Sequence, residues 1–165
     1  MISVMRKAFL LIITLLIVLF PGLVKAQSES TPSPKIKVER VASVIERLKE
    51  RVDLLFKFST KDKISLQQQL TEKRLAELDY VIKSGQGDMI EEVSSRYKTH
   101  VGKLIKSTKS AQSKEIKTQL LDMGENHLTI LAPLRDNFES NSGFWLLVQQ
   151  DIDVVKEFSD QIRSP

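Results

Sequence analysis

Apolar residues recur every three or four positions in five successive stretches of this chain, and no stretch sustains an every-second-residue alternation. A period near 3.6 lays apolar side chains along one stripe of a helix, whereas a half-buried strand needs a period of two. The first stripe is Val38, Val41, Ile45, Leu48, Val52 and Leu55, which predicts a helix over about 37–58 with its apolar side in the core. A second helix is expected over 60–83, started by Ser59 as a cap and with Asp62 in its first turn. Its apolar residues Ile64, Leu66, Leu70, Leu75, Leu78, Val81 and Ile82 cover nearly half the circumference, which places it centrally. Ser84-Gly85-Gln86-Gly87-Asp88 reads as the turn into a third helix that begins near Asp88 and ends about residue 106. A fourth helix is expected over 114–131, ending near Pro133, and a fifth over 144–162. The expected fold is therefore all-α, an antiparallel bundle of four to five helices.

The first 26 residues differ in kind from the rest. Arg6 and Lys7 precede residues 8–20, which are apolar except for Thr14; Pro21-Gly22 breaks the run and Val24-Lys25-Ala26 follows. That order of basic, apolar, breaker and small residues is a secretory signal peptide, cleaved after Ala26. A spanning helix needs about 20 apolar residues, so residues 8–24, if left uncleaved, are the alternative: a membrane anchor. The polar, proline-containing stretch 27–36 reads as a tether, and 37–163 as the bundle domain. The expected location is extracytoplasmic, secreted or periplasmic, or tethered to the cytoplasmic membrane.

Charge and composition exclude several functions. The whole chain carries 25 Lys+Arg against 21 Asp+Glu, a net +4. Arg6, Lys7 and Lys25 all lie in the first 26 residues, which hold no acid, so 22 bases and 21 acids remain, a net +1. A basic balance confined to a targeting segment does not point to nucleic acid. Cysteine is absent, so there is no disulfide, thiolate metal site or cysteine nucleophile. The two histidines, His100 and His127, fall on different helices without metal-ligand spacing. The glycines form no phosphate loop, and Ser95 with Lys98 makes a lone SxxK without its companion motifs. No catalytic residue, cofactor or metal is expected, and no small-molecule substrate is evident.

Two groups of residues stand out as candidates. Arg74, His127 and Asp151 interrupt or border apolar stripes on three different helices. The simpler reading puts each at a stripe edge within reach of solvent. The alternative buries them as a polar cluster that fixes helix register, and burial requires partners. The second group is the run Arg96, Lys98, Lys103, Lys106, Lys109, Lys114 and Lys117, in which Glu115 is the only acid. It reads either as ordinary solvated faces facing the acidic last helix or as a basic surface for anionic lipid or envelope polymers. Only Tyr97 offers a stacking ring there, which disfavours nucleic acid.

The stretch ERLKERVDLLFKFSTKDKISLQQQLTEKRLAEL, the turn and helix SGQGDMIEEVSSRYKTHVGKL, and His127-Leu128 together resemble the bacterial domain-of-unknown-function family numbered 5667, over roughly 38–131. The resemblance implies exported helical proteins and supplies no catalytic residues. The segment around Phe144-Trp145 departs from the family pattern, as does TPSPKIKV ahead of the first helix. The expected function is a non-enzymatic extracytoplasmic binding or structural module, whose partner is an envelope protein or an anionic envelope surface. The alternative is a periplasmic stress-adaptor or chaperone-like helical protein.

Overall fold

A computed structural model describes residues 32–108 and 113–164. The signal or anchor and the first half of the tether, 1–31, lie outside these, as does Lys109. Among the described residues there are five helices: α1 Val44–Leu55, α2 Thr60–Lys83, α3 Gly87–Thr108, α4 Lys114–Arg135 and α5 Gly143–Arg163. No strand occurs among the described residues, and the bundle is all-α as expected.

The helices pair as two hairpins. α2 packs most extensively on α3, and α4 on α5. The hairpins meet along α3 and α5. Gly87 lies against Phe144 and Ser94 against Asp151, so the same offset of 57 residues holds a full two turns along, and α3 and α5 run parallel. The core is built from the expected stripes: Val93, Tyr97, Val101 and Leu104 of α3, Leu120, Met123 and Leu131 of α4, and Val148, Ile152, Val155 and Phe158 of α5. α2 touches α1, α3 and α4, which explains its wide apolar arc. Gly85 takes the left-handed conformation (φ 71°) that the tight α2–α3 turn requires.

At Gly124 the α4–α5 seam is closest. A Cβ there would stand 2.7 Å from Ser159 Oγ and 3.6 Å from the Phe158 ring. Gly124→Val is therefore expected to cost about 1–3 kcal/mol by overpacking, read as a lower urea midpoint at unchanged slope.

Several sequence expectations are corrected. The first helix starts at Val44 rather than Lys37, because Ser43 closes a capping box with Glu46: each side chain meets the other residue's backbone N–H. Residues before it run as an irregular strap along α2. Ser59 occupies the cap position of α2 without a side-chain cap hydrogen bond. α4 does not stop at Pro133 but continues to Arg135. Proline removes the hydrogen bond to the carbonyl of Thr129, a loss offset by burying Leu134, while Asn137 Nδ2 donates to the Pro133 and Leu134 carbonyls.

The largest correction concerns α1. Its apolar stripe is not in the core: Ile45 is 80% exposed, Leu48 60% and Leu55 78%, and no residue of the helix is buried. The polar side faces the bundle instead, through Arg47 and Glu50.

Candidate functional site

Three features follow from how α1 is attached. The first is the attachment. Arg74 of α2 is almost completely buried and grips α1 and its own helix at once. Its guanidinium donates to Glu50 of α1 and, at 2.5 Å, to Glu77. Lys73 also donates to Glu50, at 2.7 Å. Glu77 is fully buried and accepts in addition from the backbone N–H of Ala42, at 3.1 Å. Arg47 of α1 pairs with Glu92 of α3 at 3.8 Å. A buried arginine with two carboxylate partners satisfies the demand that desolvated charges be paired.

The second feature is the surface this leaves open. With the polar side docked, Val44, Ile45, Leu48, Val52, Leu55, Phe56 and Phe58 are all exposed. They form an apolar row along a helix of 12 residues, about 18 Å long. The exposed charges between residues 49 and 63 are mostly basic: Lys49, Arg51, Lys57, Lys61 and Lys63 against Asp53 and Asp62.

The third is a cleft of about 200 Å³ between α1, α2 and α3. Arg47, Arg51, Arg74, Arg96, His100 and Lys103 bring basic or hydrogen-bonding groups to it, and Glu50 is its one lining carboxylate. Burial and the neighbouring charges of Arg74, Lys103 and Arg51 push the His100 ring down to about 4, so it is neutral at ordinary pH. Gln67 Nε2 lies 3.1 Å from His100 Nδ1. An amide N–H donates, so Nδ1 accepts and the ring hydrogen sits on Nε2.

Behind these surfaces, the stripe-interrupting residues are buried rather than solvated. His127 and Asp151 are completely inaccessible, as is Arg74 to within 1%. They do not form one cluster. Arg74 belongs to the α1 attachment, whereas His127 and Asp151 both meet α3, three residues apart. Ser94 Oγ donates to Asp151 Oδ1 at 3.0 Å, and Tyr97 Oη lies 2.8 Å from His127 Nδ1. Burial, with the charges of Asp151 and Glu72, holds the Tyr97 phenol well above its usual range, so it keeps its proton and donates to Nδ1. His127 Nε2 stands 3.4 Å from Glu72 Oε2 on α2, in charge contact but without a hydrogen bond. Burial pushes the Asp151 carboxyl up to about 8, against the smaller opposing effects of Ser94 and Lys98. These contacts tie α2, α3, α4 and α5 in register and leave no access for a substrate.

The basic run is divided. Arg96 is half-buried and pairs with Glu92, Lys103 lines the cleft, and Lys98 Nζ donates to Gln150 of α5 at 2.8 Å. Lys106 is exposed at the end of α3, while Lys114 and Lys117 sit on α4. Ser95 lines the cleft and Lys98 reaches α5, so the SxxK residues serve different contacts. Sequence reasoning missed Glu50, Glu72, Glu77 and Gln67; an Arg74-x-x-Glu77 pair inside the apolar stretch 70–82 was the available signal.

Among the described residues no group of three or more His, Asp or Glu side chains is placed to hold a metal ion, and no helix is long and apolar enough to cross a membrane. Neither a curated protein nor a solved structure matches the chain. A family model does match, over residues 44–138, from α1 through α4 and into the turn before α5. That is more than half of the chain, and it belongs to the family of domains of unknown function DUF5667.

Proposed function

We propose that this chain is a non-enzymatic extracytoplasmic binding module that associates with an anionic membrane surface through α1. The supporting observation is the outward apolar row of α1, ending in Phe56 and Phe58 and fringed by exposed lysine and arginine. An apolar face with aromatic residues and a basic border is the composition of a helix that lies in a lipid interface. Contiguous exposed apolar surface of this kind marks an interaction site in a folded domain. Each basic side chain held near anionic lipid contributes about 1 kcal/mol, and salt weakens that share. The apolar share does not screen.

The test is co-sedimentation of residues 27–165 with phosphatidylglycerol vesicles. Binding is expected at low salt, reduced but not abolished at high salt, and weaker on phosphatidylcholine. Leu48→Asp is expected to lower partitioning at least tenfold while leaving the melting temperature within a few degrees, because Leu48 is already 60% exposed. Equal binding by parent and variant would reject α1 as the contact. Dimerisation of the parent that Leu48→Asp breaks, without vesicle binding, would make a second copy the partner of this face.

A further inference from the structure

We propose that the cleft between α1, α2 and α3 is an oxyanion site that takes a phosphate group carrying two negative charges. Five cations line it: Arg47, Arg51, Arg74, Arg96 and Lys103. Glu50 is the lining acid, Glu77 pairs with Arg74, and Glu92 serves both Arg47 and Arg96. Glu50 also holds Lys73, so these three carboxylates are shared among more cations than they neutralise, and the cleft keeps a positive excess that suits a phosphate or phosphomonoester dianion.

The donors are as telling as the charge. Nε and Nη1 of Arg96 and Nε of Arg47 are shielded from solvent and have no hydrogen-bond partner. Nε of Arg74, a side chain only 1% exposed that lines the same cleft, is likewise unpartnered. Buried donors left unpaired cost free energy, and all four belong to arginines that line this one cleft. Phosphate offers acceptor oxygens that match the guanidinium fork. The neutral His100 ring adds a donor at Nε2, since Nδ1 is engaged by Gln67. Ser95 adds a hydroxyl at the rim. At about 200 Å³ the cavity is smaller than those that enclose drug-sized ligands, and it suits a single charged group.

This site lies on the docked, polar side of α1 and does not depend on the apolar face for its chemistry. The phosphate could come from solution or from a lipid headgroup, and two arms of one experiment separate these. In the first, inorganic phosphate is titrated into the ¹⁵N-labelled full chain, held in a neutral detergent, at constant ionic strength and pH 7.5. Saturable shifts are expected, concentrated at α1 and at residues 95–103 of α3. Arg96→Gln should weaken the apparent Kd about tenfold or more, the loss of one charge-assisted contact. Arg51→Gln, at an exposed position, should weaken it without threatening the fold. Leu48→Asp should bind phosphate like the parent even if membrane binding is gone. Shifts that rise linearly without saturating, or that are identical for parent, Arg51→Gln and Arg96→Gln, would overturn the site. In the second arm, Arg96→Gln is assayed on vesicles containing phosphatidic acid, whose headgroup is a phosphomonoester. Loss of partitioning together with phosphate binding assigns the site to a headgroup; unchanged partitioning with lost phosphate binding assigns it to a soluble phosphate.

Discussion

Asp151→Asn is expected to melt about 10 °C above the parent at pH 8 and close to it at pH 4. The Asp151 carboxyl is fully buried and pushed from 3.8 up to about 8 by burial. A raised folded-state value means that the folded chain keeps a proton the unfolded chain releases. The stabilising share is therefore complete below about 4 and is lost as the pH climbs to about 8. Across that window unfolding releases one proton and stability falls by about 1.4 kcal/mol per pH unit, several kcal/mol in all. Asparagine has the same shape, keeps an oxygen for the Ser94 hydroxyl and has no proton to lose. Other carboxylates also titrate, so the diagnostic quantity is the difference between variant and parent in thermal melts at pH 4, 6 and 8. A difference that does not grow with pH, or a variant that melts below the parent at pH 8, would show that the carboxyl ionises freely in the fold.

Arg74→Ala is expected to cost about 3–5 kcal/mol in urea denaturation, the range found when one partner of a buried ion pair is removed. Glu77, fully buried, would keep only the Ala42 N–H as a partner, and Glu50 would be left with Lys73. A double change of Arg74→Met and Glu77→Gln should recover most of the loss, because it replaces charge and carboxylate together with groups of similar size. If the single variant were as stable as the parent, the attachment of α1 would have to rest on contacts other than these ion pairs.

Helices α2 to α5 were legible because their stripes are covered by one another: Val93, Tyr97 and Leu104, or Val148, Ile152 and Phe158, could be named from spacing alone. The same spacing misled at α1. Periodicity reports that a helix has an apolar side, and says nothing about what covers it. Ile45, Leu48 and Leu55 look like core residues in sequence, yet they are exposed because Glu50, on the other side, meets the buried Arg74 while Arg47 pairs with Glu92 of α3. The start of α1 was readable in Ser43-x-x-Glu46. The buried polar contacts were not. Asp151 and Ser94 are 57 residues apart, and Arg74 and Glu50 are 24 apart. Each such residue looks like ordinary helix surface until its partner's helix is in place. The cleft is illegible for the same reason, since Arg47 and Arg51 come from one helix and Arg96, His100 and Lys103 from another.

The strap ahead of α1 decides where a mechanical load on the N-terminal side would be borne. Pro34 is buried, Lys35 pairs with Glu72 at 3.9 Å, and the Ala42 N–H is held by Glu77. All three anchorages lie before the first turn of α1, and both carboxylates belong to α2. Tension transmitted from upstream would therefore meet contacts with α2 before it reached Val44. Because Glu77 also accepts from Arg74, which donates to Glu50, the clamp on the strap and the attachment of α1 share one buried carboxylate.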